Sequence, residues 1–402
     1  MPNQFLSDRL NAVKPSATLV LNQKATALKA QGRTIYNLTA GEPDFNTPDH
    51  VKEAGITAIT DNETRYTAVD GTAVLKRAII AKFKHDNDLE YSAHEISVGT
   101  GTKQVIYNGL MATLNPTDEV IIPAPFWVSY PEMVALASGM PILVPCHEST
   151  QFKLTAADLA AAITPRTKWV ILNSPSNPTG QVYTESELLA LAAVLRQHPH
   201  VLILSDDIYE HLVYDGATFA TLPQVAPDLK DRTLICNGVG KAYAMTGWRL
   251  GYAAGPRWLI EAMATIQSQS TSNPCSISQA AAVAALTQPR TFLVNRNRIY
   301  RERRDKMVSF FNQLPGFHCL EPAGAFYIYA NCQGVLGKTT PQGSTLETDL
   351  DVSAYLLDHA GVATVPGTAF GLAPYLRVSY AVAGDVLTGA CGAITMAIGD
   401  LK

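Results

Sequence analysis

The stretch Thr233-Leu-Ile-Cys-Asn-Gly-Val-Gly-Lys-Ala-Tyr-Ala-Met-Thr-Gly-Trp-Arg-Leu-Gly-Tyr-Ala-Ala-Gly255 decides the reading of this chain. Two short apolar runs, Thr233 to Asn237 and Leu250 to Gly255, enclose a loop of small residues that holds one lysine, Lys241, and one arginine, Arg249. Neither run alternates polar and apolar residues as a strand with one wet face would, so both read as strands buried on both faces. An unpaired ammonium between two core strands is costly. Lys241 is therefore either half of a structural ion pair or a lysine of lowered pKa, the kind that forms a Schiff base with an aldehyde cofactor.

Moving outward, runs of the same kind recur: Glu95 to Val98, Glu119 to Pro123, Pro141 to Pro145, Lys168 to Leu172 and Val201 to Leu204. Between them the spacing predicts helices over 103–114, 128–138, 156–163 and 185–197, with two more over 51–60 and 72–85. A first helix opens at Lys14-Pro-Ser-Ala-Thr18 and closes before Gly32. Short buried strands separated by helices imply a doubly wound α/β domain with a mostly parallel sheet. Beyond Gly255 the pattern changes. Helices are expected over 277–286, 292–314 and 351–360, with strands over 325–329, 361–366 and 376–380, which makes a smaller α+β domain. The arginines of the second helix (Arg296, Arg298, Arg301, Arg303, Arg304) read as a solvated face, and the segment 332–348 as an exposed excursion.

The 402 residues suit about two domains. The boundaries expected are 1–45, a segment belonging to the small domain, 46–285, a large cofactor-binding domain, and 286–402, the small domain. A net charge of −4 leaves no footprint for nucleic acid or an anionic membrane. Six scattered cysteines suggest neither a metal site nor a disulfide framework. The start, Met1-Pro-Asn-Gln-Phe-Leu-Ser-Asp-Arg9, has no leader pattern and no apolar run is long enough to span a bilayer, so a cytoplasmic protein is expected.

Ligands of an open parallel sheet bind beyond the carboxyl ends of its strands. Four such ends carry chemistry. Gly99-Thr-Gly-Thr-Lys-Gln104 leads into a helix, whose free amides, with Thr102 and Lys103, suit a phosphate. It starts like a dinucleotide fingerprint, and Glu119 stands at a suitable distance, but Gln104 occupies the place of the third glycine. Asn173-Ser-Pro-Ser-Asn-Pro-Thr-Gly180 is a turn. Ser205-Asp-Asp-Ile-Tyr209 offers a carboxylate, Asp206 or Asp207, and the Tyr209 phenol. Gly238-Val-Gly-Lys241 offers the lysine. A buried carboxylate keeps a pyridine nitrogen protonated and a phenol bonds a ring hydroxyl, so the set suits pyridoxal phosphate. Arg377, inside the apolar run Tyr375 to Tyr380, suits a substrate carboxylate or else an internal salt bridge.

The runs Leu38-Thr-Ala-Gly-Glu-Pro-Asp-Phe45, Asn173 to Gly180, Ser205-Asp-Asp-Ile-Tyr-Glu210 and Gly240 to Arg249 resemble those of fold-type I, class I aminotransferases, nearly end to end. The Lys-Pro-Ser-Ala-Thr segment is similar to that of a bacterial subgroup acting on aspartate. The resemblance implies pyridoxal 5'-phosphate bound to Lys241, which also shuttles the proton between substrate and cofactor. It implies Asp206 at the pyridine nitrogen, Tyr209 and Asn177 at the ring hydroxyl, and Trp127 stacked on the ring. Gly101, Thr102, Lys103 and Arg249 would form the phosphate cradle. Tyr66 would reach the phosphate of a neighbouring subunit, which makes a homodimer with shared sites. On the substrate side it implies Arg377 at the α-carboxylate, Gly41 over the substrate, and Lys103 with Ser16 and Thr18 at a distal carboxylate; Trp127 and Asn177 also border the substrate. The expected partners are dicarboxylic amino acids and 2-oxo acids, with no nucleic acid, membrane or metal. Two departures stand out: no arginine lies near Ser270 to Cys275, and Gly238 and Gly240 replace the usual serine before the lysine. The expected reaction is ping-pong transfer of an amino group from aspartate to 2-oxoglutarate. Dual aspartate/prephenate specificity and a lyase on the same fold are the alternatives. A regulator built on this fold would need a DNA-binding module, and no basic helix-turn-helix precedes residue 40.

Overall fold

Alternate residues of the central strands face opposite sides, and both sides are apolar. The computed structural model describes residues 5–402, so the leader reading of residues 1–4 lies outside it. The strands are β1 (Ile96–Gly99), β2 (Glu119–Ala124), β3 (Met140–Pro145), β4 (Thr167–Asn173), β5 (Leu202–Asp206), β6 (Thr233–Gly238) and β7 (Gly251–Ala254). They form one sheet in the order β1-β7-β6-β5-β4-β2-β3. All pairings are parallel except those of β7, which runs against both its neighbours. Val120, Ile122, Ile171 and Leu204 pack on one side against Val105, Leu110, Tyr130 and Met263 of the helices covering it. Ile121, Val170 and Ile203 face the other way, onto Leu159, Leu188 and Leu191. A doubly wound sheet follows, because strands apolar on both faces must be covered twice.

A second, antiparallel sheet has the order β9-β10-β8, from β8 (Tyr327–Asn331), β9 (Val365–Pro366) and β10 (Tyr375–Ser379). Its core takes Tyr300, Met307 and Phe311 from the helix Phe292–Gln313, Leu356 from Asp349–Ala360, and Leu387 and Ile394 from Gly384–Gly399. The N-terminal helix, Ala17–Ala30, joins this part through Ala25 and Leu28 against Leu357 and Ala363. Just beyond it, Tyr36–Asn37 pairs in parallel with Val362–Ala363. Tyr209, Leu212 and Tyr214, which follow β5, also enter this core, so the two sheets meet where the parallel strands end.

Two expectations are corrected. The arginine-rich helix is a solvated face only in part, at Arg298 and Arg301. Arg296 and Arg304 are buried: Arg296 donates to the carbonyls of Ala242 (3.1 Å) and Asn46 (2.6 Å), and Arg304 pairs with Asp215 and donates to Pro322 O (3.0 Å). Arginine interleaved with apolar residues gives the same pattern whether its head reaches water or a carbonyl. The segment 332–348 is exposed over much of its length, with 341–345 its longest exposed run, but it is no free excursion, since Cys332, Val335 and Leu346 are buried in the small core. Two helices went unanticipated, Arg257–Ser268 and Gly384–Gly399. No helix among the described residues is long and apolar enough to cross a membrane.

Candidate active site

The carboxyl ends of β4, β5 and β6 lie side by side, with Asn173 opposite Asp206 and Asp206 opposite Cys236. That register brings the Asn173 to Gly180 turn, Asp206 and the Lys241 loop to one edge. They line a cavity of about 460 Å³ together with Ser16, Thr18, Gly41, Gly101, Thr102, Lys103, Trp127, Asn177, Tyr209, Arg249 and Arg377. Every expected site residue is therefore a wall of one cavity, except Tyr66. Tyr66 is 92% exposed and lies outside that cavity.

Lys241 is part-buried and donates to the carbonyl of Gly41. No carboxylate pairs with it among the described residues, so the structural ion pair is ruled out. Burial, and then the nearby Arg377 charge, push its pKa down to about 8. A lysine in this state is a nucleophile near neutral pH. The choice left open between Asp206 and Asp207 is also resolved. Asp206 lines the cavity, whereas Asp207 faces away and accepts from Ser205 Oγ at 2.7 Å. Burial raises Asp206 to about 6, against a bond from Tyr130 Oη (2.5 Å) that favours its charged form. A cation set beside it, such as a protonated pyridine, would hold it ionised.

The phosphate end is built from backbone. Gly101, with φ of +83°, caps the helix Thr102–Thr113, and its Cα lies so near Arg249 that an added Cβ would be 2.6 Å from Nη2. Gly251 is closer still: a Cβ there would meet the Thr102 amide nitrogen at 2.2 Å. Thr102 Oγ1 donates to Asn237 O (2.9 Å), which ties the helix start to the end of β6. Asn237 is braced in turn through Nδ2 to Glu210 Oε1 (2.8 Å), and Glu210 is in a buried pair with Lys82. Arg249 has no carboxylate partner among the described residues and uses Nη1 on Thr246 O (2.7 Å). Amides at a helix start with a free guanidinium make an anion site. Glu119, the residue a dinucleotide reading would require on a ribose, is held by Arg166 and Thr164 instead.

Arg377 reaches the cavity from β10. It is 2% exposed, donates to Asn177 Oδ1 (3.1 Å) and Thr39 O (2.6 Å) and, among the described residues, leaves Nε unpartnered and meets no carboxylate. Tyr327 and Phe370 sandwich it, with ring centroids at 4.6 and 5.1 Å. An internal salt bridge is thereby excluded, and a buried fork of donors without an anion is the signature of a carboxylate clamp. Lys103, on the same cavity, is exposed, 4.9 Å above the Trp127 ring, with its pKa lowered by desolvation and by Arg249. The buried Thr18 Oγ1 beside it has no partner. On one cavity, two cations with no carboxylate partner among the described residues, a glycine-lined anion cradle, a lysine and a carboxylate fit a phosphorylated pyridine aldehyde and a dicarboxylate.

The residue reading missed several of these walls. Tyr130 lies in the first turn of the helix Ser129–Leu136 and packs edge-on against the Trp127 ring, with centroids 5.3 Å apart. Asn173 donates to Asp206 O (2.8 Å) and accepts from Asn177 N (2.9 Å). Tyr327 and Phe370 come from the small sheet and its border, where no local pattern points to the cavity.

A sheet, a cavity and a lysine of this kind define a pyridoxal-phosphate enzyme. The chain belongs to the aminotransferase class I and II family, which it matches over residues 33–394. It is 56% identical over 390 residues to the aspartate/prephenate aminotransferase of Cereibacter sphaeroides, with 97% of this chain and 98% of that one covered. It is 54% identical to the aspartate aminotransferase of Rhizobium meliloti, covering 93% and 92%. Among solved structures, the aspartate aminotransferase from Rhizobium meliloti superposes with a TM-score of 0.96 at 52% identity, covering 99% of both chains. That from Thermus thermophilus with maleate superposes at 0.91 and 41%, covering 98% and 99%. The fold and the dependence on pyridoxal phosphate follow from the family.

Proposed function

We propose that the protein transfers the amino group of aspartate to 2-oxoglutarate. The observation that carries this is the pair of cations on one cavity, Arg377 buried without an anion among the described residues and the exposed Lys103. Two carboxylates of one small substrate can engage both. The names of the relatives support the reading, and the Thermus structure holds maleate, a four-carbon dicarboxylate.

When bound, pyridoxal phosphate supplies an electron sink for the charge that develops at the substrate Cα. Lys241 would hold the cofactor through Nζ and, as a free amine, would take the proton from the substrate Cα. Asp206, oriented by Tyr130, holds the pyridine nitrogen protonated. Tyr209 and Asn177 hold the ring hydroxyl, and Trp127 covers the ring face. Gly101, Thr102, Lys103 and Arg249 hold the phosphate. Arg377 fixes the α-carboxylate beneath Gly41, and Lys103, Ser16 and Thr18 take the distal one. In the test, run at saturating pyridoxal phosphate so that the loss of its phosphate contact does not count, Lys103→Ala lowers kcat/KM for aspartate by about tenfold or more, the worth of one charge-assisted bond, and lowers that for phenylalanine far less. Equal losses for the two substrates overturn the assignment.

A second reading, use of prephenate as well, is favoured by the name of the Cereibacter relative and by a further cavity of about 770 Å³ adjoining Lys103 and Ser16. Amination of prephenate in a coupled assay decides it.

The exposed Tyr66 fits a homodimer in which it completes the partner's phosphate site; a fully active monomer in sedimentation overturns that. Residues 46–285 form the large domain in this reading, and 1–45 with 286–402 the small one, with limited proteolysis near 45 and 285 as the check. The cysteines, all free, accord with a cytoplasmic protein, which cell fractionation tests.

A further inference from the structure

The hydroxyls of Tyr209 and Tyr327 lie 2.8 Å apart, with their rings edge-on at a centroid distance of 5.9 Å. Tyr327 is fully buried, comes from β8, and its Oη also lies against Gly41, where an added Cβ would be 3.6 Å away. The Arg377 guanidinium covers its ring at 4.6 Å. Tyr209 is the only hydrogen-bond partner of the Tyr327 hydroxyl among the described residues. Burial holds both phenols in their protonated form.

Each phenol has a single proton, and either can be the donor when the pair stands alone. A ring oxygen beside Tyr209 removes that freedom. Once Tyr209 commits its proton to the ring oxygen, the hydrogen bond between the two phenols can only run from Tyr327 to Tyr209 Oη. Accepting a hydrogen bond makes the Tyr209 O–H a stronger donor, because chained hydrogen bonds polarise one another. The Arg377 charge over the Tyr327 ring strengthens that first donor in turn.

We propose that Tyr327 is a positioning residue which fixes the direction of the Tyr209 hydrogen bond to the cofactor ring oxygen and strengthens it, linking the carboxylate clamp on β10 to the cofactor. The inference rests on the cofactor and site assignment of the proposed function. It concerns the one hydroxyl group that Tyr327→Phe deletes, since the variant keeps the aromatic face under Arg377.

The test is a spectrophotometric pH titration of the cofactor's visible band in the holoenzyme, for wild type, Tyr327→Phe, Tyr209→Phe and the double variant. A weakened bond to the ring oxygen favours the protonated chromophore, so the midpoint rises. With one hydrogen bond at stake, Tyr327→Phe raises it by about half a pH unit to one unit. In the Tyr209→Phe background the same change shifts the midpoint by less than about a third of that, because the relay acts through Tyr209. An unmoved midpoint in Tyr327→Phe overturns the proposal, as does an equal shift in both backgrounds. A merely structural role lowers the melting temperature of both Tyr327 variants and leaves the midpoints alone. If the wild type shows no cofactor band, the functional reading itself fails and the relay falls with it; a wild-type band with no Tyr327 effect overturns the relay alone.

Discussion

Replacing Arg377 with lysine keeps the charge and removes the fork. The guanidinium is held at Nη1 by Asn177 Oδ1 and at Nη2 by Thr39 O, so its plane is fixed before a substrate arrives. An ammonium offers one point contact where the guanidinium offers two parallel donors to a carboxylate. One charge-assisted hydrogen bond is worth about 1.5–3 kcal/mol, so kcat/KM for aspartate should fall by about 10- to 150-fold. Arg377 has no carboxylate partner among the described residues, so the cofactor-free variant loses no ion pair, only hydrogen bonds to Asn177 and Thr39, and its stability falls by less than a broken buried pair would cost. An internal salt bridge would predict the reverse: little kinetic effect, and a stability loss of about 3–5 kcal/mol from a broken buried pair. Single-turnover kinetics with aspartate and thermal melts of the cofactor-free protein separate the two cases. A kcat/KM within about threefold of wild type, together with a large drop in melting temperature, refutes the reasoning.

Asp206→Asn should stabilise the cofactor-free protein at neutral pH while weakening its hold on pyridoxal phosphate. The folded-state pKa is raised from 3.8 to about 6, so the folded carboxyl keeps its proton while the unfolded one has lost it. Wild-type stability then falls as pH rises from about 4 to about 6, by about 3 kcal/mol at most, and the variant escapes that loss. Urea titrations at pH 4 and pH 7.5 check this, and a variant no more stable than wild type at pH 7.5 counts against it. Gly240 and Gly238 give opposite expectations. A Cβ at Gly240 meets nothing nearer than Thr246 at 3.9 Å, whereas one at Gly238 meets Thr102 Oγ1 at 2.7 Å. Gly240→Ser should tighten cofactor binding by about two- to tenfold through one added donor, and Gly238→Ser should loosen it; equilibrium dialysis reads both.

The course of the chain was largely open to reading because strands apolar on both faces admit few architectures. Lys241 stood out for the same reason, as a cation where the pattern demanded apolar residues. Residue pattern alone could not separate Asp206 from Asp207, which only the family resemblance did, since which neighbour faces the cavity depends on the strand's register. Tyr130 and Tyr327 escaped notice because each meets its partner across a long separation in the chain. Arg304 was misread because helical spacing records which residues share a face, not whether that face meets water or Asp215. The helix Gly384–Gly399 is rich in glycine, which weakens a helical pattern. Gly389 earns its place by packing, since a Cβ there would lie 2.4 Å from the Tyr36 ring. The helix Arg257–Ser268 did carry signals, Pro256 before its first turn and the spacing of Leu259, Ile260 and Met263.

The central claim is that Lys241 carries the cofactor and that the two cations select dicarboxylic amino acids. Half-reaction spectra test it most directly. The purified protein, loaded with pyridoxal phosphate, is mixed in turn with aspartate, glutamate, phenylalanine and alanine, with Lys241→Ala alongside. The account predicts that aspartate and glutamate bleach the visible band at low concentration, that 2-oxoglutarate restores it, and that Lys241→Ala binds the cofactor without turnover. Turnover by Lys241→Ala would contradict it, as would bleaching by alanine as readily as by aspartate, or pyruvate release with no amino acceptor present.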